Sequence, residues 1–272
     1  MKRNIIPVFL LSLVFLFSCS FPHLYYTPVA QNVPMNDSAN KFTGLVAGSF
    51  GAENECFEAQ AGYSFPTHIA LTASLLTGGT SNNAGKYSDY SKVSYFEGAL
   101  GYYRHFADIC VFELYGGYGQ GKQEHVFAYD EYTGGLTWTW RQDGYANLTY
   151  SQIFIQPDIG IKIKWLEGAF SCRLSRLNYE DITFSGTTAH LTELNDLQAT
   201  SKLWLLEPAF TFRAGTPVVK TQLQLVLSNN LTNKNLLTEV IRINFGLHFT
   251  LGGNKHPKTG VVSSVNPSPS YK

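Results

Sequence analysis

The chain has little cysteine and no surplus of either charge, and both absences exclude classes of function. Its 20 Lys and Arg residues balance 20 Asp and Glu residues, so no broad electrostatic field would attract nucleic acid. Only 4 cysteines occur, and three of them, Cys56, Cys110 and Cys172, lie far apart in the sequence. We therefore expect neither a disulfide framework nor a metal site built on a cysteine pair.

Motifs that would indicate catalysis or a bound cofactor are also lacking. Gly117, Gly119 and Gly121 precede Lys122, but the strand-to-helix turn and the spacing of a phosphate-binding loop are missing. The histidines are scattered rather than set at metal-ligand spacing. No nucleophile-elbow motif accompanies the serines. The sequence thus predicts a protein that is not an enzyme and that uses no metal or cofactor.

The apolar run at the N-terminus is too short for a transmembrane helix, which needs about 20 residues. Lys2 and Arg3 precede this run, and Ser18 and Cys19 follow it. A basic start, an apolar middle and a small residue at the end are typical of an export signal that is later removed. Residues 1–18 are therefore predicted to be a signal peptide.

Residues 41–251 show apolar side chains at every second position in roughly ten segments of about ten residues, which is typical of barrel strands. The most regular segment covers residues 148–164. One of its faces is apolar and the other is polar or small, with Ile153, Ile155, Ile159, Ile161 and Ile163 against Gln152, Gln156, Asp158, Gly160 and Lys162. No comparable pattern predicts an amphipathic helix. Pro157 and Pro208 fall inside predicted strands, where we expect bulges.

The connections between these segments alternate in length. Short ones, at residues 64–68, 105–108, 164–167 and 214–217, alternate with mostly longer polar ones at residues 77–92, 129–147, 179–201 and 228–238, while residues 51–55 are a brief exception. An even number of strands with this alternation predicts both termini on the short-turn side. The proline-containing residues 19–40 are predicted to be a flexible tether, and residues 252–272 a disordered tail.

Glycine- and aromatic-rich units in the strands carry a family resemblance. Residues 97–103 (EGALGYY) and 114–119 (LYGGYG) are the main examples, and the chain from about Lys41 to Leu251 resembles the outer-membrane β-barrel proteins of Gram-negative bacteria. The resemblance implies an all-β, antiparallel up-and-down transmembrane barrel of about 10 strands. It also implies short periplasmic turns, longer extracellular loops, and both termini in the periplasm.

A second resemblance concerns the end of the signal. Leu16-Phe17-Ser18-Cys19 resembles the lipobox of bacterial lipoproteins, although Phe17 is larger than the residue usual at its position. This resemblance implies that Cys19 is acylated and becomes the mature N-terminus. Ser20 and Phe21 follow instead of acidic residues, which by the same resemblance implies an anchor that faces the periplasm.

Period-two alternation leaves open which face of the strands points outward. A soluble, lipid-anchored barrel built like a lipocalin would enclose the isoleucines and bind a ligand among them. In a membrane barrel the charged face lines the lumen instead. Opposite charges there would either pair and fill a narrow barrel or line a small passive pore. The inward candidates are Glu58, Glu97, Glu113, Asp158, Lys162, Arg173, Glu207, Arg213, Arg242 and His248.

The predicted outer loops are rich in aromatic residues, which suit contact with a partner. Trp138, Trp140, Tyr132 and Tyr145 are the candidate binding residues. We expect a non-enzymatic envelope protein that binds as an adhesin does, with the bilayer, lipopolysaccharide and an extracellular protein or glycan as partners. Some ten-stranded barrels are rim proteases, which makes His125, Asp130 and His190 the residues to check; solvated loop residues are the simpler interpretation.

Overall fold

The computed structural model describes residues 24–52, 54–84, 87–106, 109–134, 137–186, 188–233 and 238–254. The predicted signal peptide, Cys19 and the predicted tail from residue 255 onward lie outside this described part. Among the described residues, no helix is long and apolar enough to cross a membrane.

Ten long antiparallel strands close into one barrel. The elements are β1 (Ala39–Phe50), β2 (Glu55–Ser64), β3 (Ile69–Ala84), β4 (Tyr87–Phe106), β5 (Cys110–Gly134), β6 (Thr137–Ile163), β7 (Leu166–Ser185), α1 (Thr188–Ala199), β8 (Lys202–Gly215), β9 (Val219–Leu227), the two-residue β10 (Asn229–Asn230) and β11 (Ile241–Asn254). Each long strand pairs with its neighbours in sequence, and β1 closes the ring by pairing with β11. The predicted fold class is confirmed.

In the half of the barrel near the short turns, the apolar face of each long strand points outward and the polar face lines the lumen. Ile153, Ile159 and Ile161 are half exposed, whereas Gln152, Gln156 and Asp158 between them are buried. The charged residues predicted to face inward do so, from Glu58 to His248. An apolar exterior around a polar interior is the reverse of a ligand-binding calyx. The lipocalin-like alternative is therefore wrong.

The outward apolar side chains form a belt at the short-turn half of the barrel. On β6 the belt runs from Ile153 to Ile163, which corresponds to a height of about 23 Å for a strand tilted by about 45°. Trp165 and Tyr102 are exposed at its short-turn edge, as expected for a girdle. Tyr103, the next residue, points inward instead, and its hydroxyl donates to the carbonyl of Phe65 at 2.7 Å.

The predicted short turns are confirmed, but the predicted long loops are mostly strand. β5 contains 25 residues and β6 contains 27, so about 16 residues of β6 continue beyond the belt, on the order of 50 Å along the strand. Residues 77–84 and 87–92, predicted to be a loop, likewise belong to the paired strands of the β3–β4 hairpin. Residues 179–201 contain α1, a helix that the sequence pattern did not predict.

The prolines inside strands do not form bulges. Pro157 pairs with Leu114 and Pro208 with Cys172, with no shift of register at either position. Both fall where a neighbouring ladder is interrupted: the β6–β7 pairing omits Pro157, and the β8–β9 pairing begins one residue after Pro208. The N–H that proline lacks is therefore not needed by a ladder at these positions, and the register does not change. The register shifts occur instead at Phe127/Ala128, Tyr132/Gly134 and Thr149/Tyr150.

Candidate functional site

The lumen is occupied by the chain's own N-terminal segment. Residues 24–37, here called the lumen segment, run extended through the barrel, and all but Asp37 are buried. The interpretation of residues 19–40 as a flexible tether is therefore wrong for this part. Backbone N–H and C=O groups without regular secondary structure can be buried only if other groups satisfy them. The inward side chains of the strands supply those partners.

At the long-loop end, the lumen segment packs into an aromatic cluster. The Tyr25 ring lies 5.7 Å from the His125 ring, and the Tyr179 hydroxyl donates to the Tyr25 carbonyl at 2.6 Å. Gln123 donates to the Leu24 carbonyl at 2.8 Å. Leu194 and Leu197 of α1 are buried against the same cluster. Apolar packing thus fills this end of the lumen.

In the middle of the barrel, polar strand residues hold the backbone of the lumen segment. Gln224 accepts from the Gln31 amide at 2.8 Å and donates to the Gln31 carbonyl at 3.0 Å. Glu58 accepts from the Ala30 amide at 3.1 Å, and Gln60 donates to the Ala30 carbonyl at 2.7 Å. These pairs resemble the ladder bonds of a strand, but they come from side chains.

At the short-turn end, one carboxylate holds two successive amides of the lumen segment. Glu113 accepts from the amide of Met35 at 3.0 Å and of Asn36 at 2.9 Å. Met35 has a φ of 51°, a left-handed conformation that turns adjacent amides toward one anion. In register, Glu113 lies beside Tyr103 and Asp158, with no cation opposite it. A carboxylate without an opposite cation is a signal of a further occupant of the lumen, but it can be recognised only once the register is known.

Asp37 ends the lumen segment at the mouth formed by the short turns. Its carboxylate lies 3.1 Å from the ammonium nitrogen of Lys41 and 2.7 Å from that of Lys162. Burial raises the pKa of Asp37, but these two ammonium groups lower it more, so its pKa lies below the ordinary value. The pair of lysines thus fixes the point where the lumen segment joins β1.

The inward arginines pair with inward carboxylates. Arg173 binds Glu97 in a bidentate pair, with both N–O distances 2.9 Å, and its guanidinium carbon lies 4.1 Å from the centre of the Phe154 ring. Arg213 and Lys220 both contact Glu167. Arg242 contacts Glu239 at 2.8 Å. The predicted pairing of opposite charges is confirmed for the arginines. Asp158 instead accepts from Gln156, and Glu207 accepts from Tyr26 and Ser228. The lumen segment occupies the space between these groups.

The lumen segment also separates the two ends of the described chain. Leu24 contacts Gln123, which lies beyond the apolar belt toward the long hairpins. Asn254 pairs with Ala39 at the short-turn end. The described chain therefore crosses the lumen before it enters β1. The expectation that both termini lie on the short-turn side concerns residues outside the described part and stays a prediction.

The predicted binding aromatics belong to the projecting β5–β6 hairpin. Tyr132 pairs with Trp138 next to the hairpin tip, and Trp140 pairs with Asp130. Tyr145, lower on β6, is exposed. The side chains of Tyr132, Trp138 and Trp140 lie outside the described part of the structure. The structure therefore brings these positions to one hairpin rather than to an irregular loop.

The rim-protease constellation is not assembled around His125. That imidazole is buried inside the barrel between Tyr25 and Phe127, away from the rim. The side chains of Asp130 and His190 lie outside the described residues. The glycines before Lys122 face the lumen, where a Cβ on Gly119 would lie 2.1 Å from the Tyr95 hydroxyl. They make room for rings and do not form a phosphate loop.

Several solved structures are similar to this chain in fold, although their sequence identity to it is low. No protein-family model and no curated protein sequence matches the chain. Among solved structures, an outer membrane channel from Pseudomonas putida F1 is 10% identical, with a TM-score of 0.40, covering 82% of this chain and all of that one. The N-terminal β-barrel domain of Pseudomonas aeruginosa OprF is 7% identical, with a TM-score of 0.29, over 79% of this chain and all of that one. The NanC porin is 9% identical, with a TM-score of 0.34, over 77% of this chain and all of that one.

Proposed function

We propose that this chain is a non-enzymatic barrel of the bacterial outer membrane whose lumen is sealed by its own N-terminal segment and whose long hairpins bind a ligand at the cell surface. The observation that carries the proposal is the occupied lumen inside an apolar belt. A belt about 25 Å tall suits a bilayer. A lumen filled by buried chain suits a scaffold rather than a conduit.

The orientation follows from the unequal ends of the barrel. Outer-membrane barrels keep short turns in the periplasm and extend their longer connections outward. The β5–β6 hairpin then projects from the cell, and so does the end of the lumen segment at Leu24. The export signal and the acylation proposed for Cys19 are compatible with this placement, with the anchor on the outer side rather than the periplasmic side expected from the sequence.

The β5–β6 hairpin is the proposed binding platform. Its tip combines Tyr132, Trp138 and Trp140, and large aromatic residues dominate the energy of many interfaces. A hairpin of paired strands also presents side chains at fixed spacing, which lowers the entropy lost on binding. The partner classes are lipopolysaccharide, an extracellular glycan or an extracellular protein.

The test is binding by a double tryptophan variant. Trp138→Ala together with Trp140→Ala is expected to weaken binding to immobilised lipopolysaccharide or to a responding glycan by tenfold or more, the order of a loss of about 1.4 kcal/mol at a hot spot. The matched control is Trp165→Ala, which removes an exposed tryptophan at the opposite end of the barrel. Equal loss in both variants would contradict a role for the hairpin.

A passive pore is the second candidate, because the lumen wall is polar and charged. It requires the lumen segment to leave the barrel. The many hydrogen bonds between this segment and the strands argue for the sealed state, and the conductance experiment described below separates the two.

A further inference from the structure

Four cationic side chains lie on the outer surface just beyond the apolar belt, on its long-hairpin side. They are Lys92 on β4, Lys122 on β5, Arg176 on β7 and Lys202 on β8, and all are exposed. Strand alternation puts them on the same outward face as the belt. Lys122 is already paired with Glu124 at 2.7 Å. The four therefore differ in how free they are to bind a ligand.

Arg176 and Lys202 share a depression in this surface. Ser151, Ile153, Arg176, Asn178 and Lys202 line a pocket of about 290 Å³. The guanidinium carbon of Arg176 lies 5.8 Å from the centre of the Trp204 ring, which helps to hold the side chain against the barrel. None of the five lining residues is acidic. Two cations with a hydroxyl and an amide beside them suit a phosphate group.

The same strands carry an apolar groove toward the short turns. This groove, about 660 Å³ in volume, is lined mainly by apolar side chains of β6 to β9, among them Ile159, Phe170 and Phe210. Gly168 opens it, since a Cβ built there would meet nothing within 4 Å. A cationic pocket at the edge of the belt and an apolar groove within it form a surface for an amphiphile with an anionic head.

We propose that this surface binds an anionic phospholipid, with its phosphate at Arg176 and Lys202 and its acyl chains along the groove. The inference rests on the proposed membrane placement and adds a specific lipid site to it. Positive charge at a membrane interface attracts anionic headgroups in general. The pocket brings Arg176 and Lys202 together, whereas Lys92 and Lys122, on the same side of the belt, do not line it.

The experiment uses the purified protein in phosphatidylcholine nanodiscs that contain phosphatidylglycerol as a minor component. Native mass spectrometry counts the phosphatidylglycerol molecules that the released protein retains. Arg176→Gln with Lys202→Gln is expected to lower this retention at least about fivefold. The matched control, Lys92→Gln with Lys122→Gln, removes the same charge on the same side of the belt and is expected to keep wild-type retention.

Two outcomes would overturn the lipid site: equal losses in both double variants, which indicate only a diffuse cationic band, or unchanged retention in the first variant. A shift in gel mobility on heating verifies that each variant remains a closed barrel. An error in the proposed membrane placement would give a different result. A wild-type protein that does not enter the nanodiscs refutes the membrane placement itself, and the lipid site with it.

Discussion

At the scale of single residues, Arg173 shows how this barrel keeps charges inside. Its guanidinium is buried, forms two bonds to Glu97 and two to the Gln156 side-chain oxygen, and stacks on Phe154. Bidentate geometry with further hydrogen bonds is what allows a buried ion pair to offset its cost of desolvation. The pair joins β7 to β4 across the lumen, since these two strands are not neighbours in the sheet.

Breaking that pair on one side should be costly. Glu97→Gln leaves the Arg173 charge buried without its counter-ion, so we expect the free energy of unfolding to fall by about 3–5 kcal/mol. Urea unfolding from lipid vesicles, followed by tryptophan fluorescence, measures the change. The double variant with Arg173→Gln should be more stable than the single variant. A single variant within about 1 kcal/mol of wild type would contradict the role given to this pair.

At the scale of elements, the strands inside the belt were predictable and the parts outside it were not. The isoleucines from Ile153 to Ile163 alternate because lipid lies on one side and polar groups on the other. Beyond the belt the inward side chains of β5 and β6, such as Phe127 and Leu148, are apolar and buried in the cluster at that end of the lumen. The alternation of the belt therefore does not continue there, and residues 129–147 were interpreted as a loop. Helix α1 was missed because only a few of its side chains, among them Leu194 and Leu197, are apolar and buried.

The lumen segment was missed for a different reason. Its contacts run from backbone groups to side chains far along the chain, such as Glu58 for Ala30, 28 positions away, and Gln224 for Gln31, 193 positions away. No local pattern encodes such pairs, and prolines at 28 and 34 are typical of unstructured chain. The inward face could be predicted residue by residue, whereas its occupant requires the closed ring of strands to be known.

Removal of the lumen segment should open the barrel. In planar bilayers the wild-type protein is expected to show no steady conductance, because the segment and the aromatic cluster fill the lumen. Deletion of residues 24–37 should produce stepwise currents. Deletion of residues 255–268, which removes the same number of residues beyond β11, is the matched control and should stay silent. Steady unit currents from the wild-type protein would refute the sealed barrel and favour the passive pore.

At the scale of the whole molecule, the described chain begins at one end of the barrel and finishes at the other. Both ends would lie together if the strands alone set the topology. Because Leu24 lies beyond the belt near Gln123, an epitope inserted between Pro22 and His23 should be reached by antibody on intact cells. An epitope after Lys272 should be reached only after permeabilisation. An N-terminal epitope that also needs permeabilisation would contradict this topology.

The closure of β1 against β11 around buried chain has a consequence for biogenesis. The eleven register pairs between these two strands complete the ring, and a ring already complete would admit the segment only by end-on threading, one residue after another. Threading is avoided if the barrel closes around the segment. In that order, which we call enclosure, the segment lies across the open sheet first, and β1 then pairs with β11 to close the ring. A bulky folded domain fused ahead of Leu24 would therefore be tolerated by enclosure and would block threading, so the yield of such fusions reports which order the cell uses.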